Sequence, residues 1–269
     1  MSFLKLVAQN VSVEYHIART GEHFVALEDV NLEVNEGEFI SFLGPSGCGK
    51  TTFLNAIDGL VPITRGEIRI DGRNITKPGK DRAMVFQSSA LLPWRTVMGN
   101  VLYGLELQRR DGEAARAHAR DLVKLIGLEG FENRFPNELS GGMQQRVNIA
   151  RALVTDPDIL LLDEPFANLD AQTREFMQAE LLRIWSRTRK TAIFVTHNIT
   201  EAIYLSDRVV VFTARPGRIK SIATIDLPRP RPLKMKRQVE FLKYEDELWG
   251  LIEEEVAKTG LFVRETPTS

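Results

Sequence analysis

The chain has 269 residues, 43% hydrophobic and 26% charged, which suits one large α/β domain or a core with a smaller insertion. A formal net charge of −1 excludes a nucleic-acid binder working by bulk electrostatics, and Cys48, the only cysteine, excludes an intramolecular disulfide. The first residues lack a basic region, apolar core and cleavage site, and no stretch approaches the length of a bilayer-spanning helix. The expectation is a cytoplasmic protein whose membrane role, if it has one, comes through a partner.

Alternating runs at 4–15, 25–34 and 67–71 read as strands of an antiparallel layer. Turn signals stand at 19–22 and 35–38. The apolar run 38–43 is a further strand, and a helix opens at Thr51. After a loop at 92–96, helical periodicity covers 97–107 and 113–126, with Leu122, Val123, Leu125 and Ile126 as the apolar face of the second helix. Gly127, Gly130 and Phe135-Pro136 interrupt the pattern, and Ser140 stands as N-cap of a helix over 143–153. Asp156-Pro157-Asp158 is a turn. The apolar runs 159–162, 191–196 and 209–212 read as buried parallel strands. Between the first two lies a helix over 171–187 with Phe176, Leu181, Ile184 and Trp185 facing inward. Residues 227–232 form a proline-punctuated basic linker. One amphipathic helix over 235–258 follows, with Val239, Leu242, Leu248, Ile252 and Val256 on its stripe.

Gly44-Pro45-Ser46-Gly47-Cys48-Gly49-Lys50-Thr51 matches the phosphate-cradling pattern G-x-x-x-x-G-K-[ST] at every position. A strand delivers this loop, and a helix N-terminus points its free N–H groups at the phosphates. Glycines let backbone amides approach phosphate oxygens with no Cβ in the way. Lys50 would neutralise β- and γ-phosphate charge, and the Thr51 hydroxyl would hold Mg²⁺. Alkylating Cys48 inside the loop should block nucleotide entry. The strand 159–162 ends on Asp163 and Glu164. In phosphate-loop enzymes the first acid supports Mg²⁺, and the second is placed to polarise an attacking water as general base. The expected fold is α/β: a P-loop NTPase core with a mostly parallel sheet, an N-terminal antiparallel β-layer and an inserted α-helical subdomain at about 91–155. The ATPase domain would span 1–227, and 228–269 would be the linker and helical extension.

Leu139-Ser140-Gly141-Gly142-Met143-Gln144-Gln145-Arg146 resembles the signature motif of the ATP-binding cassette (ABC) family, and the resemblance extends across nearly the whole chain. Gln87 resembles its Q-loop glutamine, Ala167-Asn168-Leu169-Asp170 its D-loop, and His197 its switch histidine. Ser140, Gly141 and Gly142 stand at a helix N-terminus, where amides and dipole favour an anion. The resemblance implies a head-to-tail homodimer with two ATP at the interface, each phosphate loop facing the partner's signature motif, and closure on ATP as the mechanical stroke. It implies that Glu164, His197 and Gln87 are catalytic, that Thr51, Gln87 and Asp163 serve Mg²⁺, and that the loop residues, Thr52, Ser140 to Gly142 and Asp170 contact nucleotide. The family stacks adenine on an upstream aromatic residue. Tyr15 is the candidate, with Phe24 and His23 as rivals and a packing role for Tyr15 as the alternative. Met143, Asn168, Asn198 and Asp58 depart from the usual residues without removing a catalytic one.

Residues 87–97, with Leu92-Pro93-Trp94, resemble the Q-loop region of the nitrate, sulfonate and taurine importer group, as do 77–82, Arg215-Pro216-Gly217-Arg218-Ile219 and Leu248-Trp249. That resemblance implies an importer ATPase peripheral to the cytoplasmic face of the inner membrane. Its partners would be integral membrane permease subunits and, indirectly, a periplasmic or lipoprotein solute-binding protein, with no nucleic acid. The exposed loop beside Gln87 would dock the permease. The basic stretch 229–237 reads as a solvated connector or as a contact to anionic lipid. The last helix packs on its own cassette, mediates dimer contacts or senses a regulator. The competing function is a soluble cassette ATPase acting on nucleic acid or ribosomes. Those relatives carry two cassettes or a long coiled-coil insertion.

Overall fold

The computed structural model describes residues 3–17, 21–88 and 90–258. Readings that touch Met1, Ser2, Arg19, Thr20, Ser89 or 259–269 lie outside them. The described residues fall into two compact units, one made of those within 1–78 and 193–258, the other of those within 79–192.

The first unit begins with the long strands β1 (Leu4–Ile17) and β2 (Glu22–Asn35), paired antiparallel. β3 (Phe39–Leu43) is buried at every position, and α1 (Lys50–Asp58) follows the glycine-rich loop. β4 (Arg65–Ile70) and the short β5 (Arg73–Asn74) complete an antiparallel sheet of order β2-β1-β4-β5. This is the expected β-layer, with strands longer than the sequence pattern marks.

In the second unit, β6 (Arg82–Val85) is followed by α2 (Val97–Leu107), α3 (Glu113–Leu125), α4 (Gly141–Leu153), β7 (Ile159–Asp163) and α5 (Ala171–Thr188). β6 and β7 pair in parallel, from Arg82 opposite Ile159 to Val85 opposite Leu162. Thr96 caps α2 by accepting from Gly99 N, and Ser140 caps α4 by accepting from Met143 N at 3.3 Å. Leu122, Val123 and Ile126 are buried as expected.

The wholly buried β8 (Thr191–Thr196) leads back to the first unit, where α6 (Ile199–Leu205), β9 (Arg208–Phe212), β10 (Ile219–Thr224) and α7 (Val239–Lys258) complete the chain. There β3 lies between β9 and β8, and β10 closes the edge. β3 and β9 run parallel, whereas β10 is antiparallel to β9. Phe42 on β3, Phe53 on α1 and Phe212 on β9 have centroids 5.3–6.2 Å apart and are fully buried. Each contributes about 1.5–3 kcal/mol by burial, and Phe212 lies against Gly44 at the start of the glycine-rich loop.

Three expectations fail. Phe176 is 71% exposed, not inward; α5 buries Met177, Gln178, Leu181, Leu182, Ile184 and Trp185. Apolar residues occupy more than one face of that helix, so periodicity alone does not set its phase. The last helix starts at Val239, after a 3₁₀ turn over Leu233–Arg237. It buries Phe241, Leu248 and Glu255 at seven-residue spacing, while Val239 and Leu242 are exposed. Nor is the basic stretch wholly solvated: Arg231 is 4% exposed and bonded to main-chain carbonyls.

Candidate nucleotide site

In the first unit, the loop 44–51 joins β3 to α1 with glycine conformations that other residues resist. Gly47 has φ 75° and Gly49, the N-cap of α1, has φ 107°. A Cβ on Gly49 would also come within 2.7 Å of Ala26 O, so β2 packs directly on the loop. Lys50 is 4% exposed. Its Nζ donates to Gly44 O at 2.8 Å and Pro45 O at 2.9 Å, which parks the ammonium across the loop's own carbonyls. Burial pushes the Cys48 thiol pKa up, against the opposing charge of Lys50. Thr51 is exposed and Thr52 half-buried at the start of α1, and Ser46 is exposed.

Tyr15 and Phe24 face each other across the β1–β2 ladder and stack with centroids 5.2 Å apart; His16 and His23 meet beside them at 4.4 Å. The structure thus gathers all three adenine candidates at one end of this hairpin. His197 is exposed just after β8. Asn198 accepts from Glu201 N at 2.9 Å and caps α6. Its amide oxygen suffices for that task, so this departure from the family residue leaves the helix start intact.

The second unit carries the other candidates. Gln87 and Asp163 line one open pocket with Phe86, Ser88 and Asn168. Glu164, directly after β7, has φ 42°, a left-handed conformation uncommon for a non-glycine residue and frequent at functional turns. Ser140 is exposed at the N-terminus of α4. Gly142 is buried, and a Cβ there would lie 2.9 Å from Thr173 on α5. Gly142 therefore has a packing reason to lack a side chain. Asp170 caps α5, and the hydrogen bonds from Thr173 hold its carboxyl below the usual carboxylate range. Asn100, fully buried, accepts from Leu92 N and donates to the carbonyls of Leu92, Arg95 and Thr96. One amide side chain thereby shapes the 92–96 loop, on which Trp94 stands 72% exposed.

Arg215 and Gly217 were not among the sequence candidates for the site. Arg215 donates from Nη2 and Nε to Gly47 O at 3.0 and 3.3 Å, and its guanidinium lies 5.1 Å from the Phe24 ring centroid. Gly217 hydrogen-bonds β2 at Ala26 and Glu28. The Arg-Pro-Gly triplet signals a turn, but nothing local in it says which loop the turn touches.

The family model of the ABC transporter matches residues 27–167. An ABC transporter ATP-binding protein of Methanocaldococcus jannaschii is 51% identical over 256 residues, 95% of this chain and 94% of its own. The taurine import ATP-binding protein of Rhizobium johnstonii is 48% identical, with 80% of this chain and 82% of that one covered. The nitrate import ATP-binding protein of a Synechocystis strain is 44% identical, with 85% and 88% covered. Among solved structures, an ATP-binding cassette in a dimeric post-hydrolysis state bound to ADP and Pi superposes with a TM-score of 0.71 at 36% identity. It covers 83% of this chain and 100% of that one. With the family model spanning more than half of the sequence and such identity extending over almost all of it, the chain belongs to the ABC transporter family and is by that membership an ATP-binding ATPase.

Proposed function

We propose that the chain is the ATP-hydrolysing motor subunit of an importer for taurine-, sulfonate- or nitrate-like solutes, working as a head-to-tail homodimer beneath integral membrane permease subunits. The observation that carries the ATPase reading is Lys50, buried in a glycine-shaped loop with its ammonium on two loop carbonyls. Phosphate oxygens offer that cation stronger, charge-assisted bonds, and the free amides of α1 face the same anion. The importer reading is supported by relatives named for taurine and nitrate import.

Mg²⁺ would be held by Thr51, Gln87 and Asp163, an all-oxygen donor set with one carboxylate, which fits a cation that keeps waters and leans on substrate phosphates. Its chemistry there would be to neutralise developing phosphate charge. Glu164 would take the proton of the attacking water, with Gln87 and His197 orienting it. Ser140, Gly141, Gly142 and Asp170 would meet the nucleotide bound to the partner subunit. Residues 1–227 would form the motor domain, with the helical insertion at about 91–155 and an extension over 228–269. Among the described residues no helix is long and apolar enough to cross a membrane. The subunit would be peripheral, at the cytoplasmic face of the inner membrane, and served indirectly by a solute-binding protein.

Equilibrium binding of a fluorescent ATP analogue to wild type and Lys50→Ala tests the site; affinity within a few-fold in the variant removes the assigned role of Lys50. Growth of a deletion strain on taurine, an alkanesulfonate or nitrate as sole sulfur or nitrogen source tests the solute class. Unimpaired growth on all three defeats that part of the reading.

A further inference from the structure

The final turns of α7 are fastened to the segment 213–220. Glu255 is 1% exposed. Its carboxylate accepts from Ala214 N at 2.9 Å and pairs with Lys220 at 3.0 Å and Lys258 at 2.7 Å. Lys220 also donates to Leu251 O at 2.8 Å and Glu254 at 2.5 Å. A buried carboxylate is costly unless its lone pairs are used. Here one of the donors is a backbone N–H, which fixes the turn rather than a mobile side chain.

The residue after Ala214 points toward the nucleotide loop. Arg215 bonds Gly47 O twice and lies over Phe24, which stacks on Tyr15. The turn itself is internally braced, with Thr213 Oγ1 donating to Pro216 O and accepting from Arg218 N. Gly217 then joins β2, donating to Ala26 O and accepting from Glu28 N, both at 3.0 Å. A Cβ on Gly217 would fall 2.0 Å from Cys48 O. The turn thus has α7 bonded at one side and the phosphate loop against the other.

We propose that α7 is a positioning element for the nucleotide site of its own chain: Glu255 holds the 213–218 turn, and Arg215 on that turn holds both Gly47 and the Phe24–Tyr15 stack. The inference rests on the reading of 44–51 as the ATP phosphate loop. It assigns the C-terminal helix a task within its own subunit. A factor that displaces α7 would loosen the nucleotide loop through a contiguous set of bonds.

Cys48, 2% exposed and the only cysteine, reports on the loop without nucleotide. In the full chain, Arg215→Ala and Glu255→Ala should each accelerate maleimide alkylation of Cys48, and each weaken binding of a fluorescent ATP analogue, by about tenfold. The double variant should go no further than Arg215→Ala, because the two residues act in series. Glu255→Gln still accepts from Ala214 N and should recover most of the loss. Arg215 is exposed, so Arg215→Ala keeps the fold and remains decisive even where Glu255→Ala does not fold. Unchanged alkylation and affinity in Arg215→Ala, or full additivity in the double variant, overturns the proposal while leaving the ATP reading intact. A wild-type chain that binds no ATP analogue removes the ATP reading and the proposal with it.

Discussion

Replacing Arg231 by methionine asks whether the basic stretch before α7 is a connector or a structural clamp. Its Nη1 donates to the carbonyls of Ile203, Tyr204 and Ser206 at 2.8–3.2 Å, and its Nη2 to those of Ile225 and Leu227 at 3.2 and 3.1 Å. Two of those carbonyls are in the last turn of α6 and a third is that of its C-cap, Ser206, where a cation also meets the negative end of the helix dipole. Hydrogen bonds from a charged donor are worth about 1.5–3 kcal/mol each, but desolvating the guanidinium takes back several kcal/mol. That cost shows in a pKa pushed down to about 10, by burial first and then by Arg229. Methionine keeps part of the volume and none of the donors, so the net loss should be about 3 kcal/mol of a total near 5–15 kcal/mol. At about 2–4 °C per kcal/mol for a chain of this size, Tm should fall by about 6–12 °C. Arg237, on the same stretch, is exposed, and Arg237→Ala should stay within about 0.5 kcal/mol of wild type. Thermal and urea unfolding of the two variants side by side give the answer. Equal behaviour of the two would show that the clamp carries no weight.

Glu164→Gln keeps shape and hydrogen bonding but loses the base, so ATP turnover should fall by about 10² or more while an ATP-bound dimer accumulates on size exclusion; turnover at the wild-type rate would move the base elsewhere. Gly217→Ala would drive a methyl into the Cys48 carbonyl, and should cost about 1–3 kcal/mol with a parallel loss of nucleotide affinity. Unchanged affinity in a folded Gly217→Ala would show that the loop tolerates displacement from that side. Trp94→Ala should leave ATP binding and basal hydrolysis near normal but weaken permease association by about 2 kcal/mol or more. Pull-down with the permease and an ATPase assay on the same preparation separate the two, and undiminished assembly would exclude the 92–96 loop as the docking surface.

Much of this was legible in the sequence, for local reasons. The strand–loop–helix over 38–58 announces itself because the positive-φ positions call for Gly47 and Gly49, and because Lys and Thr follow them at the offsets of a phosphate-binding loop. Ser140 was readable as an N-cap because a serine hydroxyl before an apolar run has few other uses. Other features were not local. α6 has only 7 residues, too short for a helical period to show, and β10 has a single buried residue. On α7 the apolar residues suggest one stripe, yet the buried line runs through Phe241, Leu248 and Glu255. A carboxylate joins it because Ala214 N and two lysines supply its partners, and a periodicity count takes no account of those.

The nucleotide site divides along the same line. Residues whose task is backbone geometry or direct charge, Gly47, Gly49 and Lys50, can be replaced by few others, so the chain order alone marks them. The residues that hold them in place, Phe24, Arg215 and Glu255, act through stacking, one guanidinium and one carboxylate. Such residues occur throughout any soluble chain and signal nothing until the fold brings them together. It follows that two cassettes with the same phosphate loop can differ in nucleotide affinity through the turn that braces it. How tightly the nucleotide is held then depends also on Arg215 and Glu255, which lie more than 150 positions after Lys50.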